Sequence, residues 1–250
     1  MNKAVKHMEK DRIFAQKKEI EPFAFTREVA RVFDDMLVRS VPLYREGVLR
    51  QARMAEQFFQ KKTRIYDLGC SHGNLGILIL EQFGERPFTM IGVDNSRPMI
   101  EKYRDRLNRL KTSGAAGKID LVCAGMEEIQ IKNASVVIIN LTLQFLDLEK
   151  RDDLIKKIYQ GLVPGGILLL TEKTIGESRA INEIQLDAYR RFKRENGYSD
   201  LEISQKRDAL EKVLVPESVN THIQRLARAG FEDIDIWLKW FNFASFIAIK

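Results

Sequence analysis

The chain has 250 residues, 44% of them hydrophobic and 30% charged, and a net charge of +6. That length suits one large domain, able to bury roughly 70–75% of its unfolded surface without a disulfide or a metal. Two cysteines and three scattered histidines form no Cys-x-x-Cys or Cys/His cluster, so neither zinc nor a disulfide is expected, and with no apolar run of membrane-span length and no evident signal peptide the expected home is the cytoplasm.

Residues 1–22 read as a polar tail. Residues 1–20 hold six Lys/Arg against three acids, +3 of the total +6, and such a run reads as solvated chain. Thr26–Val38 follows as an amphipathic helix, with Val29, Val32, Phe33, Met36 and Leu37 at helical spacing. Pro42 breaks it, and Tyr44–Phe59 is a second helix. Both precede the first strand, where they can cover a ligand site.

The first strand, Arg64–Asp67, runs into the glycine-rich stretch DLGCSHGNLG, and a helix follows at about Leu75–Phe83. Strand, glycine turn and helix open a nucleotide-type α/β fold, the glycines letting backbone approach a ligand where a Cβ would collide. The next strand, Thr89–Asp94, ends on a second acid 21 residues after Gly73. An acid there accepts both ribose hydroxyls of an adenosyl group. The spacing Asp-x-Gly-x-x-x-Gly is not the Gly-x-Gly-x-x-Gly of dinucleotide enzymes, and no Lys-Ser/Thr completes a phosphate loop. The pattern favours S-adenosyl-L-methionine (SAM), which has no phosphate, over NAD.

Pro98 sits at the start of a helix that runs to about Leu110. Strand 3 is Ile119–Ala124, and strand 4, Ala134–Leu141, is a continuous apolar run typical of a central parallel strand. A helix at Glu149–Gly161 ends on Gly161 as its C-cap, and LVPGGILLLTEK supplies a turn and strand 5. Cys70 and Cys123 sit at or near strand ends in the expected core. Residues of about 175–213 form a charged helical insertion. Its Arg190–Arg194 cluster reads first as a solvated helix face, although a substrate with several carboxylates would need such charge as much as RNA would. A helix from about Glu217 to Ala229, stopped by Gly230, leads to a strand pair, Asp233–Trp240 and Phe243–Lys250. The expected fold is therefore α/β: a Rossmann-like class I methyltransferase sheet, mostly parallel and seven-stranded. It has an antiparallel C-terminal hairpin, a helical N-terminal cover and a helical insertion after strand 5. Residues 23–250 form a single SAM-binding domain.

The segments YDLGCS, VDNS-x-PMIE, NASVVIINLTLQFL, KIYQGLVPGG, FKRENGYSDLEISQKR, RLARAGF and WFNFASFIAIK resemble the carboxy-S-adenosylmethionine synthases. The resemblance runs from about Phe25 to the C-terminus. NGYSDLEISQKR is its most specific block, because it falls in the insertion, where generic methyltransferases share no sequence. The resemblance implies conversion of SAM and prephenate to carboxy-SAM and phenylpyruvate. A second enzyme uses the product for 5-oxyacetic acid modification of tRNA wobble uridine. It also implies a homodimer, with no metal and no direct contact with nucleic acid.

Carried over by position, Tyr44 lies over the ligand. Gly69, Cys70 and Ser71 line the methionine part through backbone groups. Asp94 and Asn95 hold the ribose and flank the adenine, and Asn140 lies beside the methionine part. Arg207 faces the sulfonium substituent and is the expected catalytic residue, holding a carboxylate there. One position departs: Gly125-Met126 stands where the family has Asp-Ile. Gly125 cannot accept the adenine amino proton. The backbone N–H of Met126 can still reach a ring nitrogen and its side chain can pack on the ring; Glu127 substitutes for the missing acid if the loop shifts.

Carboxylation at the SAM methyl needs a stabilised carbanion, here a sulfonium ylide, trapped by carbon dioxide released in the site. The protein must exclude water, hold the reactants together and neutralise the new carboxylate, a task suited to arginine's planar fork. Glu172 and Lys173, at the end of strand 5, are base candidates by location alone. Two other functions compete: a methyltransferase acting on a small molecule or RNA, and a non-catalytic SAM-binding protein. The absence of Asn/Asp-Pro-Pro-Tyr/Phe after strand 4 argues against amino methylation of bases.

Overall fold

The computed structural model describes residues 9–110 and 116–250. Residues 1–8 of the expected tail, His7 among them, lie outside the described residues. The sheet contains β1 (Arg64–Leu68), β2 (Thr89–Asp94), β3 (Lys118–Cys123), β4 (Ala134–Asn140), β5 (Leu162–Ile175), β7 (Asp233–Trp240) and β8 (Phe243–Ile249). Their order is β3-β2-β1-β4-β5-β8-β7. The first five are mutually parallel; β8 runs antiparallel to β5, and β7 runs antiparallel to β8. A two-residue strand, β6 (Glu217–Ser218), pairs with the end of β5. The expected seven-stranded path is therefore present, with one short addition.

Central β4 shows why its middle, Val136–Ile139, is apolar throughout. Val136, Val137, Ile138 and Ile139 are all fully buried. Val137 and Ile139 pack with Leu154, Ile155 and Ile158 of α5 (Leu148–Gly161) and Leu226 of α8 (Val219–Ala229). Val136 and Ile138 face the other layer, α2 (Tyr44–Phe58) and α3 (Asn74–Phe83). A parallel strand covered on both faces leaves no position for an unpaired polar residue; buried Ser135 at its start accepts from the Gln60 amide and Thr63 Oγ1. The strand order reverses between β1 and β4, and this switch point opens a crevice beyond the strands' C-terminal ends.

The remaining helices are α1 (Arg27–Ser40), α4 (Arg97–Leu110), α6 (Arg179–Glu195) and α7 (Asp200–Glu211). Thr26 caps α1 by accepting a hydrogen bond from the Val29 amide. Ser199 and Glu202 form a reciprocal capping box on α7. Gly230 closes α8, as expected.

Four local expectations change. Residues 9–22 are not a loose tail. Asp11 is 1% exposed and accepts from Tyr198 Oη at 2.6 Å, and Gln205 on α7 donates to the carbonyls of Phe14 and Gln16. The segment's polarity is spent inside the protein. Gly161 is the last residue of α5 rather than its cap, and it is glycine because a Cβ would lie 2.5 Å from the Ile131 carbonyl oxygen. Pro164-Gly165-Gly166 is an irregularity within β5 rather than a separate turn: the register with β4 shifts across it, and Gly165 has φ 72°. Cys123 is exposed, whereas Cys70 is buried.

Gly76 illustrates how tightly α3 meets α4. A Cβ there would lie 1.8 Å from Tyr103 Oη, a buried hydroxyl with no hydrogen-bond partner. Gly76→Ala is expected to cost about 2 kcal/mol of stability in urea denaturation. Tyr103→Phe alone is expected to be neutral or stabilising by up to about 1 kcal/mol. In the double variant it should recover more than half of the alanine's cost. Strictly additive effects would mean that the two side chains do not compete for this space.

Candidate functional site

The crevice at the switch point is a cavity of about 670 Å³. The ends of β1, β2, β4 and β5 form its floor, and α1, the start of α2, Phe23, Phe25, α6 and α7 enclose it. Tyr44, Gly69, Cys70, Ser71, Asp94, Asn95, Gly125, Met126, Asn140 and Arg207, all the expected site residues, line this one cavity.

The floor is built by the turn after β1. Gly69, at φ 83°, lets the chain fold back so that the Gly69 and Cys70 amides donate to the Val93 carbonyl at 2.7 and 2.9 Å. A Cβ on Gly69 would meet the Thr142 side chain at 2.2 Å, so the turn seats directly against the loop after β4. Asp94 accepts from the Ser71 amide at 2.9 Å and the Ser96 amide at 2.8 Å. Burial pushes its carboxyl upward, while those two amides pull it back. Each oxygen retains capacity for a ligand hydroxyl.

Asp67 lies beside it, 2% exposed, with Oδ2 lacking a hydrogen-bond partner among the described residues. Burial and then the nearby Asp94 charge push Asp67 up to about 7. A buried orphan carboxylate oxygen in a cavity wall calls for a cationic donor. An α-amino group facing Asp67 and ribose hydroxyls facing Asp94 would meet that need, so these residues fit SAM. Among the described residues no group of His, Cys, Asp and Glu is arranged to hold a metal.

Tyr44 stands at the first turn of α2, and its Oη accepts from Asn74 Nδ2 at 3.1 Å. Asn74 also donates to Asp34, which lies 3.1 Å from buried His72. This polar chain ties the helical cover to the start of α3. Hydrogen bonds and charge from His72, with Asn74 and Arg106, hold Asp34 well below the usual carboxylate range, against its burial.

Asn140 ends β4 at the cavity edge. Beyond it, Thr142, Leu143 and Gln144 turn into a short 3₁₀ helix, Leu143–Phe145, and their amides donate to the Glu172 carboxylate at 3.1, 2.8 and 3.1 Å. Glu172 is fully buried and does not line the cavity. It is therefore a structural clamp and not the general base suggested by its location. Its neighbour Lys173 does line the cavity.

On the adenine side, Gly125 and Met126 are joined by Glu127. A Cβ on Gly125 would lie 2.6 Å from Glu127 Oε2 and 2.7 Å from Glu128 Oε1. An acid thus stands beside the glycine, two residues further along the chain.

Arg207 lies at the rim. Its side chain is 48% exposed, 2.8 Å from Asp208 and 3.5 Å from Glu211. Adjacent Lys206 turns inward, donating to Ser40 Oγ at 2.9 Å and lying 3.6 Å from Asp11. Burial brings Lys206 down to about 8, against the pull of Asp11. The Arg190–Lys193 stretch is not a wholly solvated face: Arg190 and Lys193 line the cavity, and Lys193 is 8% exposed. Burial, then the charges of Lys173, Lys206, Arg190 and Arg207, bring Lys193 down to about 7. The cavity thus pairs an acidic floor with a basic wall. Sequence reasoning missed Lys193 and Asn242. The signal for the first was its place beside Phe192 in the Arg190–Arg194 cluster, and the second gave none.

Residues 65–166 match a methyltransferase domain family. The carboxy-S-adenosyl-L-methionine synthase of Desulforapulum autotrophicum is 60% identical over 97% of this chain and 98% of its own length. That of Shewanella baltica is 46% identical over 98% of this chain and its full length. Among solved structures, an O-methyltransferase family protein from Burkholderia thailandensis superposes with a TM-score of 0.63 at 15% identity, covering 92% of this chain and 64% of that one. Human N-acetylserotonin methyltransferase in complex with SAM gives 0.61 at 14% identity, covering 90% of this chain and 55% of the human chain. These two similarities bear on the fold alone. The sequence relatives are close and span the whole chain, and the protein belongs to the carboxy-S-adenosyl-L-methionine synthase family.

Proposed function

We propose that the protein joins S-adenosyl-L-methionine and prephenate to form carboxy-S-adenosyl-L-methionine, phenylpyruvate and water. The observation that carries this reading is the single cavity with an acidic, SAM-type floor (Asp67, Asp94) and a basic wall (Lys173, Arg190, Lys193, Arg207). A sulfonium amino acid suits the first and a dicarboxylate the second. The names of the close relatives support it.

The bond bookkeeping closes without a side-chain base. The ring carboxylate of prephenate leaves as carbon dioxide. The electron pair of the broken C–C bond makes the ring aromatic and expels the ring hydroxyl as hydroxide. That hydroxide takes one S-methyl proton and departs as water, while the methyl carbon bonds to carbon dioxide. The protein's part is to hold both reactants, exclude water and receive the new carboxylate. In this reading Asp94 and Asn95 hold the ribose, and Asp67 and the Gly69–Ser71 backbone hold the methionine part, with Tyr44 and Asn140 beside it. Met126 packs on the adenine, and Arg207 swings from Asp208 to the new carboxylate. The product serves tRNA wobble-uridine modification by a second enzyme in the cytoplasm, and no contact with nucleic acid is needed here. No described helix is long and apolar enough to cross a membrane. Ile181 and Ile184, 49% and 58% exposed on α6, support the expected homodimer.

Mass spectrometry after incubation with SAM and prephenate tests the reading. Carboxy-SAM and phenylpyruvate are the expected products. S-adenosylhomocysteine alone would move an ordinary methyltransferase to first place, and no turnover would favour a binding protein. Arg207→Ala is expected to weaken carboxy-SAM binding about tenfold or more in calorimetry, while SAM binds as well as before or better, because a guanidinium repels the sulfonium and attracts the added carboxylate. Equal losses for both ligands would leave Arg207 a structural residue.

Glu127 is assigned the adenine amino group in place of the family's aspartate. Glu127→Ala should weaken SAM about fivefold, the worth of one hydrogen bond near 1 kcal/mol. Gly125→Asp alone should not help, since its carboxylate would crowd Glu127 and Glu128; combined with Glu127→Ala it should restore affinity. A tightening by Gly125→Asp alone would refute this assignment.

A further inference from the structure

Lys173 and Lys193 are a pair of cations in the cavity wall with no ion-pair partner among the described residues; the acid Glu211 acts on Lys173 only from a distance. Lys193 is 8% exposed, and neither side chain makes an ion pair or a hydrogen bond among the described residues. What they share is the ring of Tyr189. Lys193 Nζ lies 4.3 Å from its centroid and Lys173 Nζ 5.4 Å. A ring face offsets only part of the cost of burying an ammonium group.

The cluster has a third polar member. Asn242, 1% exposed, lines the same cavity with both side-chain amide atoms unpartnered among the described residues. The fold fixes its place: the Asn242 carbonyl accepts from the Thr174 amide at 2.7 Å, and Phe243 pairs in register with Lys173. Phe243 in turn meets Tyr189 edge to face at 5.3 Å. β5, α6 and the turn before β8 thus bring two ammonium groups, one amide and two aromatic rings to one end of the cavity. That set fits a carboxylate with an adjacent carbonyl oxygen on an unsaturated ring body.

Prephenate has two carboxylates, and charge decides which belongs here. The ring carboxylate must leave as neutral carbon dioxide, so pairing it with two cations would stabilise the reactant over the transition state. The carboxylate of the 2-oxo acid tail survives into phenylpyruvate and keeps its charge throughout. We propose that Lys173, Lys193 and Asn242 form the subsite for this 2-oxo-carboxylate tail, leaving the ring carboxylate unpaired beside the S-methyl group. The assignment of the tail rests on the reaction proposed above.

Phenylpyruvate itself is the probe, because it carries the tail and lacks the ring carboxylate. Calorimetry on the SAM-loaded protein is expected to show Lys193→Met binding phenylpyruvate at least tenfold more weakly, SAM affinity unchanged, and Lys193→Arg within about threefold of the parent. Prephenate turnover should show the same rank order in KM. The groups that act on Lys193 are cations: Lys173 from β5, Lys206 and Arg207 from α7, and Arg190 on its own helix, while the acid Glu211 of α7 acts on Lys173. The free ammonium is therefore lost as pH rises through about 7. Phenylpyruvate affinity should fall over that range in the parent and fall less in Lys193→Arg, where of the two subsite cations Lys173 alone can lose its charge. If Lys193→Met is poorly folded by thermal melting, Lys173→Met supplies the same comparison. Unchanged phenylpyruvate affinity in a folded lysine variant would overturn the subsite, even where turnover collapses. A parent that binds phenylpyruvate through these lysines yet makes no carboxy-SAM would leave the 2-oxo acid subsite standing and remove the proposed reaction instead.

Discussion

The site depends on one buried carboxylate. Glu172, on the central sheet, gathers the amides of Thr142, Leu143 and Gln144 and so fixes the loop after β4. Buried Arg151 completes the clamp from the other side, donating to the carbonyls of Gln144 and Leu146. Burial pushes Glu172 upward, and three aligned amide donors and the Arg151 charge oppose it, leaving it at about 8. The clamped loop then sets the glycine turn, because Thr142 fills the space that Gly69 leaves empty. The turn in turn presents the Ser71 amide to Asp94. Two acids and two loops are thus positioned through one chain of contacts, most of them backbone to side chain.

Charge is segregated inside the cavity. Asp67 and Asp94 share the floor, and the Asp94 charge adds to burial in disfavouring ionisation of Asp67. The wall holds Lys173 and Lys193, both pulled down by burial. Neither set neutralises the other, as a purely structural arrangement would be expected to do; buried charges in stable cores come paired. Unsatisfied acids on one side and unsatisfied cations on the other are affordable only when ligands of opposite sign complete them. The fold therefore holds part of its electrostatic energy in reserve for binding.

Much of this was legible in the sequence for a physical reason. Parallel strands covered on both faces must be apolar throughout, so β1, β2 and β4 announce themselves, and the chain turns that follow them need glycine or an acid. What escaped notice was polar and non-local. Asp11 meets Tyr198 across 187 positions, and Gln205 reaches Phe14 across 191, so residues 9–22 looked like solvated chain. Lys193 sits in a run of charges, and composition cannot distinguish a lysine facing water from one facing a cavity. Gly161 looked like a helix stop because glycine serves both as a cap and as a gap; here the close Ile131 backbone demands the gap. Glu172 looked like a base because strand ends carry catalysts, but its lone pairs are already committed to amides.

Lys206 and Arg207 show how adjacent residues on one helix divide two tasks. Lys206 points into a polar node with Asp11, Ser40 and the ring of Tyr198. Arg39 joins this node, stacking 3.7 Å over Tyr198 and donating to the carbonyls of Asp11, Asn196 and Gly197. The node fastens the N-terminal segment, α1 and α7 together, and the Phe23 amide adds a backbone bond to Ala209. One step along α7, Arg207 is free of that node and reaches only Asp208 and Glu211, both solvent-accessible. An exposed pair of this kind holds a side chain weakly. A rigid backbone position with a loosely tethered guanidinium leaves Arg207 able to exchange its surface acids for another anion at the cavity rim at little cost.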